Sequence, residues 1–186
     1  MRLFRRQGFE ATTVEQIAAA AEISPSTFFN YFPSKEDLLF TDPYDELFVG
    51  MLLQRPPQET VWQAIRTTMR AVIEAAVRDD LDMMVFRARL VLENPDLRGR
   101  FLDEMRNGAD RLRETVAAWA GVDPNSFELR VMTEAVVAGL MAAAAEWMQG
   151  NGEPDLVVLM EKAMDVLEQG DRVEVLRARP GGAKAG

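Results

Sequence analysis

Apolar residues recur at helical spacing along nearly the whole chain, and short polar breaks divide them into segments. Val14, Ile17, Ala18 and Ala21 fall on one face, and Thr13-Val14-Glu15-Gln16 ahead of them forms a capping box, so the pattern predicts a helix over about 13–21. A second start comes at once: Ser24 is a good N-cap, Pro25 suits the first helical position, and Phe28 and Phe32 share a face until Pro33 stops the turn. Between the two, the turn 22–24 is short enough to hold the helices at a steep angle, with Ile23 as the apolar plug. Ser34 is positioned to cap a further helix, with Lys35 at its start.

This arrangement is a helix-turn-helix, and its second member reads as a DNA recognition helix. Ser26 and Thr27 occupy the exposed first turn, where short hydroxyl side chains can meet base edges or phosphates, and Asn30 and Tyr31 lie off the buried face. A cation at the start of a helix is mildly unfavourable for the helix dipole, so Lys35 either meets a phosphate or is simply solvated.

Beyond it, Asp42-Pro43 and Arg55-Pro56-Pro57 bracket an amphipathic connector with Tyr44, Leu47, Phe48, Met51 and Leu52. Helical patterns then run over about 59–78, 81–93, 95–120, 124–149 and 153–169, broken at Asn94-Pro95, 121–124 and 150–154. Nothing alternates like a strand for long, so the expected fold is all-α. Residues 1–42 are expected to form a three-helix helix-turn-helix head, 43–170 a larger helical domain whose apolar faces are candidates for ligand binding and dimerisation, and 171–186 a flexible tail.

Two apolar stripes mark 124–149: Met132, Val136, Leu140, Ala143 and Trp147 on one side, Val137, Met141, Ala144 and Met148 on the other. The last helix adds Leu156, Met160, Ala163, Met164 and Leu167. These faces either build a four-helix interface across a two-fold axis, with Gly139 permitting close approach, or both belong to the core of a monomer. On the first of these readings the interface comprises Val136, Leu140, Ala143, Trp147, Met160 and Met164. Large adaptable side chains on the preceding helices suggest a cavity, with Trp62, Met69, Met83, Phe86, Leu90, Met105 and Trp119 as candidate lining. Packing in the core is the competing reading for each of them. Arg87 falls inside an apolar run, where a guanidinium can grip a carboxylate or phosphate, or else pair with Glu93 or Asp103.

Composition narrows the chemistry. The chain has 186 residues, 48% of them hydrophobic, enough for a substantial core. With no cysteine and no histidine, structural disulfides, thiolate chemistry, histidine general-base catalysis and nearly all protein zinc sites are excluded. Neither paired carboxylates nor a phosphate-cradling glycine loop takes their place, so no enzyme, cofactor or metal is expected. Without a secretory signal or an apolar run of membrane-spanning length, the cytoplasm is the expected location, with no membrane contact. Net charge is −9, and the head itself sets four basic side chains against six acidic ones. General attraction for DNA is therefore small, and binding must rest on a few placed contacts and on pairing two heads.

Gly8-Phe9, the run from Thr13 through Ala21, Ser24 through Lys35, and Leu38-Leu39 together resemble the N-terminal domain of TetR-family transcriptional regulators. The doublet Phe28-Phe29 with the run from Tyr31 to Asp37 resembles the branch containing MftR-like proteins with an acyl-CoA-type ligand domain. The resemblance implies that Thr13 contacts a phosphate, that Ser26 and Thr27 approach bases, and that Tyr31 and Lys35 hold flanking phosphates. It further implies a homodimer joined through the last two helices, binding a palindromic operator with half-sites about 34–36 Å apart or more. A small hydrophobic or acyl-type effector, an acyl-CoA for example, would relieve repression by shifting the connector helix. The rival is a ligand-binding helical dimer that acts as a sink or adaptor and has lost DNA binding.

Three features depart from the family pattern. Phe29 replaces a common tyrosine and has no hydroxyl to donate; Glu22 stands where glycine is usual, which in a left-handed conformation costs about 1–2 kcal/mol. The chain enters in the second half of the first helix, so either the longer basic arm of many relatives is absent or the natural start lies upstream; Arg2, Arg5 and Arg6 are either phosphate contacts or a solvated face.

Overall fold

The computed structural model describes residues 2–41 and 44–170; the break at Asp42-Pro43 and the expected tail at 171–186 lie outside them. Among the described residues there are nine helices and no strand: α1 Arg2–Gln7, α2 Val14–Ala20, α3 Pro25–Tyr31, α4 Asp37–Phe40, α5 Tyr44–Leu53, α6 Val61–Glu93, α7 Pro95–Ala120, α8 Phe127–Gln149 and α9 Leu156–Gln169. The fold is all-α, as the periodicity indicates.

Local capping explains most of the boundaries. Thr13 accepts from the Gln16 backbone N–H while the Gln16 side chain accepts from the Thr13 N–H, and Thr60 and Gln63 repeat this reciprocal pair at the start of α6. Ser24, Asn94 and Asp155 cap α3, α7 and α9. Starts shift where a side chain finds another partner. Ser34 donates to Asp37 Oδ2 at 2.6 Å instead of capping, so α4 begins only at Asp37. Asp123 Oδ1 accepts from the Asn125 N–H at 2.8 Å and closes a turn, which delays α8 to Phe127. The two helices expected over 59–78 and 81–93 run end to end within α6 and meet at a kink at Asp80, whose backbone is non-helical (φ −141°, ψ 20°).

The turn after α2 is held by bonds from the Glu22 N–H to Ala19 O and from the Ile23 N–H to Ala18 O, which force Glu22 to φ +56°. A side chain in that region is strained, and glycine is not. Glu22→Gly is expected to stabilise the protein by about 1 kcal/mol, read as a raised Tm; an unchanged or lowered Tm would contradict this turn.

Two clusters form the interior. Leu52, Ile65, Leu112, Val116, Val136, Met160 and Met164 join α5 through α9. Phe4, Phe9 and Leu39 of the head pack with Val91 and Leu97 at the α6–α7 corner. The head is thus seated on the body through a shared apolar contact.

The six α8 and α9 side chains assigned to a subunit interface require correction, though the two helices do not. Val136, Ala143, Trp147, Met160 and Met164 are at most 5% exposed within a single chain, and Leu140 faces a cavity, so none of the six is free to meet a partner. Gly139 does permit close approach, but to α9 of the same chain, where a Cβ would lie 3.0 Å from Leu167. Of the second stripe, Val137 lines the same cavity, and Ala144 and Met148 line its continuation. What remains outward is a third face: Phe127, Val131, Ala138 and Ala142 on α8, beside Val158, Val166 and Leu167 on α9. Contrary to expectation, α8 is long and apolar enough by composition to cross a membrane, although core and cavity account for two of its faces.

Candidate nucleic-acid interface and effector cavity

The recognition helix owes its orientation to Phe28, which is 1% exposed and packs its ring against Phe29 and Phe32 at centroid distances of 5.5 Å. Anchoring that side turns Ser26, Phe29, Asn30 and Tyr31 outward, with Tyr31 75% and Phe29 53% exposed. Phe29 is therefore an exposed apolar side chain and not a core residue. At the helix start, Ser24 Oγ accepts from the Thr27 N–H at 3.0 Å and lies 2.8 Å from both the Ser26 and Thr27 hydroxyls. Thr27 is only half exposed within this knot. Thr13 is exposed at the start of α2, and its hydroxyl accepts from the Gln16 N–H. Beside it, the Glu15 carboxyl is held below its ordinary range by its own backbone N–H first and then by the Thr13 hydroxyl. Thr13, Ser26, Asn30 and Tyr31 are thus all solvent-facing, on or beside the helix-turn-helix.

Lys35 is different. Its Nζ donates to the carbonyls of Phe9 (2.9 Å), Thr12 (3.1 Å) and Glu10 (3.3 Å), and sits 4.5 Å from the centroid of the Phe9 ring. An ammonium has three donors, and all three are engaged here. The loop it clasps turns at Gly8 (φ +87°), where Thr12 donates its hydroxyl to Gly8 O at 2.6 Å. The structure therefore gives Lys35 an internal role in place of a free phosphate contact. Residues 23–26 positions away supply its partners, a separation that local sequence patterns do not register.

Polar bonds also fasten the head to the body. Arg100 of α7 donates to Ser34 Oγ at 2.9 Å and lies 3.4 Å from Asp37 Oδ1, while Asn94 donates to Glu10 Oε1 at 3.0 Å. No periodic signal marks these residues, and sequence reasoning missed them.

A cavity of about 610 Å³ opens between α5, α6, α7 and α8, and a smaller one of about 250 Å³ adjoins it toward the head. Asp45, Met84, Met105 and Arg111 border both, so the large lobe and the small lobe adjoin across these four side chains. Arg111 Nη2 meets Asp45 Oδ2 there at 2.8 Å, bridging α7 to the first turn of α5. The large lobe is walled mainly by apolar groups such as Phe48, Met69, Ile73 and Val137. Leu39 and Phe40 of α4 form part of the small lobe.

The expected lining divides. Met69 borders the large lobe, Met105 both, and Arg87 the small one, whereas Met83 borders neither. Trp62 and Trp119 pack against the main core, with Trp119 Nε1 donating to Arg55 O at 3.0 Å, and Phe86 and Leu90 pack beneath the head. Met84 takes the position foreseen for Met83 because the non-helical residue Asp80 shifts the helical phase of the residues after it. Arg87 pairs with that same Asp80 at 3.5 Å, not with Glu93 or Asp103, and its Nε is buried with no hydrogen-bond partner among the described residues.

Comparison with known proteins agrees with this geometry. Residues 1–41 match the model for bacterial regulatory proteins of the tetR family, and residues 59–172 match the MftR C-terminal domain. The HTH-type transcriptional regulator TcmR of Streptomyces glaucescens is 36% identical over 179 residues, covering 90% of this chain and 78% of that protein. The HTH-type regulator YerO of Bacillus subtilis is 26% identical over 167 residues, 82% of this chain and 54% of that one. Among solved structures, the Thermus thermophilus repressor FadR, in complex with lauroyl-CoA, superposes with a TM-score of 0.61 at 28% identity, covering 98% of this chain and 94% of that chain. With both of its parts matched and a relative similar along most of its length, the chain belongs to the TetR family of transcriptional regulators.

Proposed function

We propose that this regulator is a cytoplasmic homodimeric repressor that holds a palindromic operator and releases it when a long, apolar, acyl-type effector enters the two-lobed cavity. The observation that carries this reading is the cavity itself, which lies between the dimerisation helices and the head and contacts both. Its large lobe falls within the 300–1,000 Å³ typical of ligand sites, and its lining is mainly apolar. FadR, whose fold is similar, binds lauroyl-CoA, which supports an acyl-type ligand here.

The heads pair through the outward face of α8 and α9. Phe127, 72% exposed in the single chain, and Val131, 50% exposed, are large apolar groups that a two-fold related copy would cover. Glu134 and Lys162, both exposed, add opposite charges beside that face.

On DNA, Ser26 and Asn30 face bases, Thr27 supports the first turn, and Thr13 and Tyr31 meet flanking phosphates. Fluorescence anisotropy with DNA flanking the regulator's own gene tests this. Asn30→Ala is expected to weaken specific binding by about 1–3 kcal/mol per head, and Tyr31→Phe to weaken binding to all sequences alike. Wild-type affinity in both variants would remove the recognition assignment. A wild-type protein that ignores every such fragment at low salt would leave the sink or adaptor reading, which the acidity of the head favours.

A further inference from the structure

Arg111 is the one basic residue lining the large lobe among the described residues, and it lines the small lobe too. Its charged end, and not only its stem, lies at this rim. Nη2 is 2.8 Å from Asp45 Oδ2, and a Cβ built on Gly108, another residue of the large lobe, would stand 3.9 Å from the same nitrogen. Nη1 is 3.9 Å from Glu104 Oε2, on the wall of the small lobe. Three carboxylates, those of Asp45, Glu46 and Glu104, share the two walls with it, while the second basic wall residue, Arg87, is paired with Asp80.

From this we infer that Arg111 takes the oxyanion of the effector, a carboxylate or a phosphate, and that it does so by giving up Asp45. The inference rests on the acyl-effector reading above and names the group that reads the ligand's polar end. A guanidinium is the side chain best matched to an oxyanion. Half-exposed ion pairs such as Arg111–Asp45 contribute little net stability, so one carboxylate replaces another there at small cost. A further anion beside Asp45 and Glu104 adds like charge to an already acidic rim, which favours the arrangement in which Asp45 has moved away.

The position of Asp45 makes this exchange a signal. It lies in the first turn of α5, the helix that joins the head to the body, and α5 borders the large lobe through residues from Tyr44 to Gly50. Paired with Arg111, Asp45 ties the head-proximal end of α5 to α7. Once Arg111 turns to the effector, that tie is lost. The tied arrangement is the operator-holding one, and the effector binds the untied one more tightly, which is the differential affinity that release requires.

Dodecanoate, dodecanoyl-CoA, dodecan-1-ol and dodecylamine, each kept below its micellar concentration, provide the test, with binding measured by calorimetry and operator affinity by anisotropy on DNA flanking the regulator's own gene. Wild type should bind dodecanoate at least about tenfold more tightly than the alcohol, and Arg111→Gln should remove that difference by weakening the acid alone. Asp45→Asn should bind the preferred anion about two- to fivefold more tightly and, without ligand, hold the operator less tightly by a similar factor, since one tie is coupled to both. If the thioester and not the free acid carries the dependence on Arg111, the oxyanion is a phosphate and the assignment of Arg111 holds. If neither anion is preferred to the alcohol in the wild type, or the preference survives Arg111→Gln, that assignment is overturned while the acyl reading stands. Tightest binding of the amine overturns it too, in favour of Asp45 and Glu46. An Asp45→Asn variant that holds the operator with wild-type affinity overturns the exchange as the signal. If none of the four compounds binds while operator binding is intact, the acyl effector class falls and the inference with it.

Discussion

Ala138→Arg is expected to give a folded monomer that no longer holds its operator. Ala138 is exposed in the single chain, midway along the outward face of α8 between Val131 and Ala142. Arginine is nearly as good a helix former as alanine, so the protomer itself loses little. In a two-fold dimer the new side chain meets its own copy or the apolar residues around it, and a buried unpaired charge costs several kcal/mol. Two linked heads gain about 10²–10⁴ over one, and a head with few basic side chains depends on that gain more than most. Operator affinity should therefore fall at least about 100-fold, with sedimentation reporting a species of 20.9 kDa. Val136→Arg is the instructive contrast. That residue is 0% exposed inside one chain, so its replacement should unfold the protomer instead of separating two of them. A dimeric Ala138→Arg with wild-type affinity would remove this face from the assembly.

Lys35→Met separates two roles for one cation. If Lys35 holds the loop after α1, the variant forfeits its three bonds to carbonyls and its place against Phe9. Charged hydrogen bonds contribute about 1.5–3 kcal/mol each in isolation, but three on one half-exposed ammonium are not additive, and about 2–3 kcal/mol in all is expected. For a chain of this size that lowers Tm by about 5–10 °C. The dependence of operator affinity on salt, compared at equal folded fraction, should not change. A direct phosphate contact gives the opposite pair of results: an unchanged Tm, and a slope of log affinity against log salt smaller by about 1.8 for two copies. Measuring both quantities on one variant decides between them.

Whatever depended on neighbours within a few residues was legible in the sequence. Thr13 with Gln16, Ser24 with Pro25, and Phe28 with Phe32 specify two capped helices and their buried face without reference to the rest of the chain. The helical class came from the same periodicity. Partners were not legible, because an apolar stripe shows that a face is covered and not by what. Val136 and Met160 satisfy the pattern of a subunit interface equally well when they fill their own core. For α8 the ambiguity was complete, since core, cavity and exterior each claim one of its apolar sides. Arg100 with Ser34, and Lys35 with Phe9, join residues 66 and 26 positions apart, and composition gives no hint of either. The two tryptophans also misled: Trp62 and Trp119 consolidate the core, and the cavity is lined by other residues such as Phe48, Met84 and Thr115.

That Leu39 and Phe40 are at once the seat of the head and a wall of the small lobe constrains how such a regulator diversifies. On the proposed function, drift at Met69, Ile73 or Val137 changes which effector fits while the operator stays the same. Drift at Leu39 or Phe40 changes signal and address together. Descendants of one ancestral gene should accordingly differ most in the distal chamber and be most alike where the chamber meets the reader.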